Sequence, residues 1–359
     1  MKTIVHKIDQ NQIDRKIIQE AGAVIASGGL VAFPTETVYG LGADALDAEA
    51  SSKIYAAKGR PSDNPLIVHI ADLDALEKIG REVPDIAYRL AEQFWPGPLT
   101  MILKKSENVP LQTTGGLNTV AVRMPSHPVA KELIQASGTY IAAPSANRSG
   151  RPSPTKASHV LEDLDGKIDM ILDSGKVGIG IESTIIDLTE EVPSILRPGY
   201  ITQEEFEAVI GQTAVDPGIL EENQDPNLHP KAPGMKYRHY APKGELTIVE
   251  GNQKDVIDLI NRLTQEKEKE GKNTAVIAVK ETAGFYQCAH VYEIGSRQDE
   301  ESIAANLYDI LRKLDEDQRE VIFTESYQEG QLGLAVMNRL LKAAGHHVIF
   351  AGEDCRQAK

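Results

Sequence analysis

The chain shows two patterns of hydrophobic and polar positions. Up to about residue 210, short apolar runs end in clusters of glycine, proline and polar residues, which is typical of strands that lead into loops. These runs predict strands at 30–33, 66–70, 99–103, 118–124, 140–143, 170–173, 183–188 and 194–196. Apolar residues at helical spacing predict helices at 11–27, 49–58, 73–79, 85–94 and 129–136. The string Thr202-x-x-Glu205 predicts a capping box at the start of a further helix.

After residue 244 the pattern becomes a regular alternation of strand-like and helix-like segments. Strands are predicted at 246–249, 274–279, 291–294, 321–324 and 348–350, with helices at 255–269, 300–314 and 332–344. Such an alternation predicts a smaller, Rossmann-like parallel α/β domain. Its strand ends lack the polar loops of the first part, so we expect no ligand site there.

Residues 211–244 join the two parts and contain five prolines with little periodicity. A structureless connection of this length is uncommon unless it is functional or disordered. The string A-P-G-M-K-Y-R-H-Y-A-P at 232–242 is too aromatic and too cationic for an inert spacer. We therefore expect a first domain over 1–210, a linker over 211–244 that folds over a site as a lid and is not a plain tether, and a C-terminal α/β domain over 245–359.

Polar loops adjoin the strand ends of the first part. Lys58 and Arg60 flank a glycine on a loop stiffened by prolines, an arrangement that suits a polyanion such as a triphosphate. Because loop cations are expected to be exposed, replacing either by alanine should not unfold the protein. Ser145 and Asn147 offer hydrogen-bond donors and acceptors on a second loop of this kind.

Several single residues leave alternatives open. Arg123 ends a strand, where its planar guanidinium matches the carboxylate of an amino acid, although a plain surface cation is the alternative. A lone histidine in an apolar strand, such as His69, is more often a satisfied core side chain. Trp95 is expected to pack under its proline turn rather than to stack on a base. Gly40 and Gly42 are expected to supply backbone freedom and to leave room for a close approach.

Composition narrows the class of protein. The 359 residues suit two domains, and 41% hydrophobic and 25% charged residues are normal for a soluble globular protein. The net charge is −15: residues 1–200 carry 20 basic and 25 acidic side chains, and the remaining 159 carry 18 and 28. Such an acidic chain is a poor candidate for a broad nucleic-acid-binding face.

The cysteines and the apolar runs indicate the cellular compartment of the protein. Cys288 and Cys355, the only cysteines, are far apart and read as free thiols in a reducing cytosol. The apolar run at 21–33 is too short, and too often broken by glycine, for a membrane span. We expect a soluble, cytoplasmic protein.

The motifs of the first part resemble one family when taken together. P-T-E-T-V-Y-G-L, K-G-R-P-x-x-x-P-L, P-G-P-x-T, R-x-P, P-S-A-N-x-S-G and S-T-I, spread between residues 13 and 202, look like the signature of the YrdC-like family, the threonylcarbamoyl-adenylate synthases of tRNA modification. The linker string and the C-terminal domain are similar to the long, two-domain branch of that family. The resemblance implies an α/β fold with a twisted mixed sheet in the catalytic domain.

The resemblance also implies an activity. L-threonine, bicarbonate or CO₂ and ATP would give L-threonylcarbamoyl-AMP and pyrophosphate, the first step of N6-threonylcarbamoyladenosine formation in tRNA. Mg²⁺ would come with the ATP phosphates, with no organic cofactor and no metal site of protein ligands alone. Other proteins would transfer the threonylcarbamoyl group to tRNA, and direct tRNA binding would be weak or absent.

The matching family positions imply two sets of site residues. The ATP-binding set is Lys58, Arg60, Ser62, Asn64, Thr119, Ser145, Asn147, Ser153, Arg197, Tyr237 and His239, of which Lys58, Arg60, Ser145 and Asn147 are the catalytic candidates. The threonine-binding set is Thr35, His69, Arg123, Ala143 and Ser183.

Two rival functions belong to other classes. An RNA-binding module would need a broad basic face, which the charge balance disfavours. A carbamoyltransferase domain of a larger maturation enzyme would carry a cysteine-rich zinc-finger segment, which this sequence lacks. Neither a P-loop nor a G-x-G-x-x-G dinucleotide motif occurs in the chain.

Overall fold

A computed structural model of the chain describes residues 2–219, 231–232, 239–327, 330 and 332–352. The chain forms two compact units. The first comprises Met1–Ser149 and Ser153–Tyr237, and the second comprises Gly150–Pro152 and Arg238–Lys359. Each unit has a sheet of its own.

The first unit is a large mixed sheet with helices packed against it. Its strands are β1 (Ile4–Lys7), β2 (Val31–Phe33), β3 (Gly40–Asp44), β4 (Ile67–His69), β5 (Leu99–Lys104), β6 (Thr119–Arg123), β7 (Ile141–Ala143), β8 (Met170–Asp173), β9 (Thr184–Asp187), β10 (Ser194–Arg197) and β11 (Ala214–Val215). Its helices are α1 (Arg15–Ala26), α2 (Ala48–Lys58), α3 (Ala75–Ile79), α4 (Asp85–Phe94), α5 (Pro128–Ser137), α6 (Ala157–Leu164) and α7 (Gln203–Ile210). The strand order is β1-β8-β2-β3-β7-β4-β6-β5-β9-β10-β11, and parallel and antiparallel pairs both occur. The expected mixed-sheet α/β class is confirmed.

Strand β3 replaces a predicted loop. Gly40 and Gly42 pair with β2 as part of an antiparallel strand, so they allow the expected close approach and do not serve as free loop residues. A Cβ on Gly42 would lie 2.7 Å from Ile141 Cγ2 and 2.9 Å from Phe33 Cε1. Glycine is needed here because a ring and a branched side chain cover the strand, and not because of an unusual backbone conformation.

Local signals predicted several details correctly. Thr202 Oγ1 accepts a hydrogen bond from the Glu205 amide at 3.3 Å, and the Thr202 amide donates to Glu205 Oε2 at 2.8 Å, so the capping box is present. Trp95 is buried, and its indole Nε1 donates to the Leu99 carbonyl at 2.8 Å. The expectation that Trp95 packs under its turn is therefore confirmed.

Helices α1 and α5 cover one face of the sheet with an apolar layer that includes Ile18, Ile25 and Leu133. The two helices approach very closely at Gly22, in the middle of α1. A Cβ on Gly22 would lie 2.6 Å from the backbone carbonyl carbon and oxygen of Ala136. The helix thus keeps a residue of poor helix propensity because nothing larger fits.

The second unit is a parallel α/β sheet, as predicted. Its strands are β12 (Glu245–Glu250), β13 (Thr274–Val279), β14 (Val291–Gly295), β15 (Val321–Glu325) and β16 (Val348–Phe350), and its helices are α8 (Gln253–Lys269), α9 (Glu300–Glu316) and α10 (Gly333–Ala344). The strand order is β14-β13-β15-β12-β16, with every pair parallel. Cys288 is a buried free thiol in this unit, and Cys355 lies outside the described residues.

Residues Gly150–Pro152 belong to the second unit although they follow β7 in the sequence. Arg312, which is 1% exposed, donates to the Pro152 carbonyl at 2.6 Å, and the Ala241 amide donates to the Gly150 carbonyl at 3.0 Å. An ion pair of 3.5 Å joins Arg151 to Asp315. Nothing in the sequence pattern predicted this assignment.

Across the ranges that the structure describes, no helix combines the length and the apolar character needed to cross a membrane.

Replacing Gly22 by alanine is expected to destabilise the protein. In an open helix the change would stabilise by about 1 kcal/mol, but overlap with the α5 backbone should cost roughly 1–3 kcal/mol. Urea unfolding of the variant should therefore give a lower midpoint than wild type. The control is Gln19→Ala on an exposed position of α1, for which a change within about 0.5 kcal/mol is expected. A Gly22→Ala protein as stable as the control would contradict the close approach.

Candidate active site

The segment 35–39, directly after β2, is hydrogen-bonded through its backbone to two loops that carry polar side chains. From the first loop, the Pro154 carbonyl accepts from the Tyr39 amide at 2.9 Å, and the Ala146 amide donates to the Tyr39 carbonyl at 2.8 Å. The Gly180 amide donates to the Thr37 carbonyl at 3.1 Å. The loops 144–154 and 174–183 are therefore held against the 35–39 segment by the main chain.

Thr35 shapes the start of this segment. Pro34 ends β2, and the buried Thr35 Oγ1 then donates to the Val38 carbonyl at 2.6 Å. The same oxygen accepts hydrogen bonds from the amides of Thr37 and Val38, each at 3.2 Å. This turn places Glu36 and Thr37 next to the end of β6.

Arg123, the last residue of β6, is 3% exposed and fully engaged with its own chain. Its Nη2 donates to Glu36 Oε1 at 2.5 Å, its Nη1 to Thr37 Oγ1 at 2.9 Å, and its Nε to the Gly97 carbonyl at 3.3 Å. The alternative of a surface cation is wrong. The carboxylate of Glu36 thus already binds part of the Arg123 guanidinium.

His69 lies beside Arg123 in the parallel pair of β4 and β6. Its ring is 4% exposed, meets the Phe33 ring edge-on with 5.9 Å between centroids, and has Nδ1 3.1 Å from the Ile67 carbonyl oxygen. Burial, together with the nearby Arg123 charge, lowers the pKa of His69 to about 3. The imidazole is therefore neutral at physiological pH and can donate or accept a hydrogen bond without carrying charge.

Ser183 lies at the same level of the sheet, just before β9. Its hydroxyl is 2.7 Å from Thr100 Oγ1, and Thr100 faces Arg123 in the β5–β6 pair. Arg197, at the end of β10, donates from Nε to the Ser183 carbonyl at 3.0 Å and from Nη2 to Ser183 Oγ at 3.1 Å. Arg197, predicted for the nucleotide, thus contacts a residue predicted for threonine.

Lys58 is the last residue of α2, which Gly59 ends in the left-handed conformation at φ 61°. Its side chain is 1% exposed, and its ammonium donates to the main-chain carbonyls of Ser145 and Asn147. A further contact joins Lys58 Nζ to Asn147 Oδ1 at 3.3 Å. The expectation of an exposed loop cation was wrong for Lys58, because the loop 144–154 folds over the helix end and needs a donor for its carbonyls.

Arg60 is the more exposed cation of this motif. It is half-buried, and its guanidinium donates to the carbonyls of Asn64 at 3.3 Å and Pro65 at 3.1 Å. Ser62 is exposed, whereas Asn64 is 1% exposed. Within the described residues the Asn64 Oδ1 atom has no hydrogen-bond partner, which is unusual for a buried polar atom.

The register of the sheet sets the distance between the predicted threonine-binding residues, such as His69 and Arg123, and the predicted nucleotide-binding residues, such as Ser145. In the antiparallel pair of β4 and β7, His69 faces Ile141 and Ile67 faces Ala143. Ser145 therefore lies four residues from the level of His69, which corresponds to ~13 Å along the strand. Ala143 is buried between the two levels.

The direction of strand β7 explains why the two groups of residues are far apart along the strands. Because β7 runs against β4 and β6, the loop at its carboxyl end lies beside the beginnings of those strands. Thr119, at the beginning of β6, is thus at the level of the nucleotide residues, and Arg123, at its end, is at the level of the threonine residues. The candidate site therefore extends along the strands of the mixed sheet and is not confined to one set of strand ends.

Three predicted nucleotide residues remain. Ser153 Oγ donates to Glu182 Oε1 at 2.6 Å, and both side chains are buried. His239 is buried within the second unit, with its ring 5.5 Å from the Tyr240 ring. Tyr237 lies outside the described residues, as does half of the predicted lid.

Sequence reasoning missed four polar residues of the site. Glu36 and Thr37 contact Arg123, Thr100 contacts Ser183, and Glu182 contacts Ser153. Glu36, Thr37 and Glu182 stand inside or beside recognised motifs, which was the available signal. Thr100 is the last residue of the motif P-G-P-x-T, so the same signal was available for it, although only the register of β5 and β6 shows that it faces Arg123.

The donor set favours phosphate over a protein-bound metal. In the parts of the chain that the structure describes, there is no group of three or more His, Cys, Asp or Glu residues placed to hold a metal ion. Arg60, Ser145 and Asn147 are suited to anionic oxygens instead.

Two family models match successive parts of the chain. Residues 23–199 match the model Sua5_yciO_yrdC, described as "Telomere recombination". Residues 201–345 match Sua5_C, described as "Threonylcarbamoyl-AMP synthase, C-terminal domain".

Similar proteins cover nearly the whole chain. The threonylcarbamoyl-AMP synthases of Pyrococcus abyssi and Bacillus subtilis are 51% and 50% identical over 95% and 92% of this chain, and over 97% and 94% of their own lengths. A crystal structure of P. abyssi Sua5 complexed with L-threonine superposes with a TM-score of 0.92 at 50% identity, covering 97% of this chain and 100% of that one. The chain belongs to the threonylcarbamoyl-AMP synthase family, in its two-domain form.

Proposed function

We propose that this enzyme condenses L-threonine, bicarbonate or CO₂ and ATP into L-threonylcarbamoyl-AMP and pyrophosphate, as the first step of N6-threonylcarbamoyladenosine formation in tRNA. The observation that carries the proposal is the elongated site on β4, β6 and β7. Arg123 and His69 lie at one end, and the Lys58 and Ser145 loops lie ~13 Å away at the other. An extended molecule with a carboxylate at one end and a nucleotide at the other matches this spacing.

At the threonine end, the amino acid would bind by displacing Glu36 from Arg123. The substrate carboxylate takes a position on Arg123 that Glu36 now holds, and Glu36 moves away. Arg123 is held in place by Thr37 and Gly97, so the guanidinium keeps its orientation when Glu36 leaves. The neutral His69 adds no charge, which leaves Arg123 as the group that selects a carboxylate.

The chemistry needs orientation more than a covalent protein group. The threonine nitrogen attacks CO₂ and loses a proton, which gives a carbamate. A carbamate oxygen then bonds to the α-phosphorus of ATP while the bond to the bridging oxygen of the β-phosphate breaks, and pyrophosphate leaves. Phosphoryl-type transfers of this kind depend on positioning and on charge neutralisation.

At the nucleotide end, Lys58 would position the binding loop, and neighbouring side chains would contact the nucleotide. The Lys58 ammonium binds the carbonyls of the 145–147 loop, so it positions Ser145 and Asn147. Arg60, the more exposed cation, would meet the triphosphate, with Mg²⁺ bound to the phosphates. The buried Asn64 amide offers an atom for a ligand hydrogen bond. Thr119 and Ser153 complete this side of the proposal.

The linker keeps its proposed role as a lid. An adenylate anhydride is prone to hydrolysis, so a segment that excludes water from it would be useful. Tyr237 and His239 are its proposed nucleotide contacts. Downstream transfer proteins, which would carry the product to tRNA, are the expected partners, and the acidic charge of the chain favours weak or no direct tRNA binding.

The activity is tested by pyrophosphate release. Purified protein supplied with ATP, L-threonine and bicarbonate is expected to release pyrophosphate and form threonylcarbamoyl-AMP, detected by a coupled assay and by chromatography. Omitting threonine should abolish most of the release because the carbamate nucleophile is then missing. Equal release with serine, with glycine or with no amino acid would rule out the threonine assignment.

Exchange at Arg123 predicts that Glu36→Gln lowers the KM for threonine. Without the competing carboxylate, the KM should fall by roughly 3- to 10-fold, since a charge-assisted hydrogen bond no longer has to be broken. Arg123→Lys should raise it, because an ammonium cannot make the paired contact. Glu107→Gln, on an exposed position, is the matched control and should match wild type. A higher KM in Glu36→Gln would show that Glu36 positions Arg123 and does not compete with substrate.

Lys58→Ala is expected to lower stability as well as activity. Two or more buried acceptors on the 145–147 loop lose their donor, which should cost about 1–3 kcal/mol. Arg60→Ala removes a half-buried side chain and should mainly raise the KM for ATP, with a smaller change in stability. Thermal unfolding and ATP-dependent kinetics of both variants separate the two roles. Equal melting temperatures for Lys58→Ala and wild type would show that the ammonium does not hold the loop.

A further inference from the structure

The second unit contains a cavity of about 330 Å³ where β12 and β15 end. Its lining residues come from the ends of these two strands, from the first turns of α8 and from the loop before α9. Those on which the binding chemistry depends are Glu250, Gln253, Val256, Arg297, Glu325 and Ser326. The cavity was not predicted from the sequence, because its polar residues are scattered over some 75 positions.

The cavity lies at a point where the sheet topology favours ligand binding. Strands β12 and β15 are neighbours, but their following connections leave in opposite directions: the chain goes from β12 to β13 on one side and from β15 to β16 on the other. In open parallel sheets the crevice between two such strand ends is the usual ligand site. The location therefore indicates binding before any side chain is considered.

An ion pair at the floor of the cavity is held rigidly. Glu325 is 3% exposed and accepts hydrogen bonds from the Val279 amide at 2.9 Å and from Thr282 Oγ1 at 2.5 Å. Its second oxygen binds Arg297 Nη2 at 2.9 Å. Arg297 also lies over the Tyr327 ring, with 5.9 Å between its guanidinium carbon and the ring centroid. Glu325 thus fixes a guanidinium that borders the cavity.

The hydrogen bonds of the Arg297 side chain to described residues run through Nη2, to Glu325 and to the Ser326 carbonyl. A guanidinium carries five N–H groups, so its other donors suit a carboxylate. Glu250, on the end of β12, supplies a negative charge in the same cavity. Val256, from α8, adds an apolar surface.

Size and charge decide the class of ligand. A cavity of about 330 Å³ is at the low end for small-molecule sites. Among the described lining residues, two carboxylates and one guanidinium disfavour a polyanion, as does the acidic balance after residue 200. We propose that this cavity binds a free α-amino acid, with the ligand carboxylate on Arg297 and the ligand ammonium on Glu250.

Titration of the full chain tests the proposal. The background is Arg123→Gln, which removes the carboxylate contact at the proposed active site, so the result does not depend on the proposed function. Glycine, L-threonine, L-valine and L-glutamate are titrated separately by calorimetry, with inorganic phosphate and AMP as competing ligand classes. At least one amino acid is expected to bind with one site per chain.

Two variants assign the binding to the cavity. Gln253→Glu adds a negative charge to the lining of the cavity, which should repel the ligand carboxylate and raise the Kd roughly tenfold or more, while an acidic residue in the first turn favours the helix. Arg297→Lys keeps a partner for Glu325 but loses the paired contact, and should weaken binding similarly. Gln265→Glu makes the same substitution on an exposed position of α8 and should change nothing.

Three results would overturn the proposal. The first is the absence of binding by any of the four amino acids at 10 mM, a concentration of about 100 times a Kd near 0.1 mM. The second is binding that Gln253→Glu and Arg297→Lys leave unchanged. The third is binding of phosphate or AMP but of no amino acid, which would assign the cavity to a different ligand class.

Discussion

The candidate site depends on the main-chain hydrogen bonds of residues 35–39. These bonds attach the loop after β7 through Tyr39 and the glycine-rich loop before β9 through Thr37. Side chains from distant parts of the sequence meet only because these loops share one support. Main-chain bonds suit this task since their geometry is fixed by the backbone and does not rely on rotamer choice. A substitution that shifted this segment would disturb both ends of the site together.

Buried charge is the second constraint. The buried cations Arg123 and Lys58 satisfy it with partners from their own chain. Arg123 pairs with Glu36, and Lys58 binds carbonyls of the 145–147 loop. An unpaired charge at either position would carry a large desolvation cost, so the pairing is what allows these side chains to be buried. The two cases differ in what happens on substrate binding. A carboxylate on a flexible side chain can be exchanged, whereas main-chain carbonyls cannot leave without the loop.

Sequence patterns predicted whatever depends on near neighbours. The five parallel strands after residue 244, the capping box at Thr202 and the packing of Trp95 were all readable from local spacing. The reversal of β7 was not, because strand direction in a mixed sheet depends on pairing with residues about 75–100 positions away. That reversal separates the two ends of the site, and it explains why Lys58 is buried under a loop that follows it by 87 residues. Motifs therefore supplied the candidates for the site, and only the register revealed their arrangement.

Strand β1 has a consequence for how the chain is made. It pairs with β8, so that Ile4 faces Met170, and the sheet of the first unit begins with these two strands. During synthesis at ~5–20 residues per second, the first strand would wait roughly 8–30 s for its partner to be translated. Over that time its pairing edge and the apolar face of α1 have no native neighbours from the second half of the sheet. Strand β1 is thus made well before the strand that it pairs with, and until β8 is translated its edge stays open to pairing with other chains.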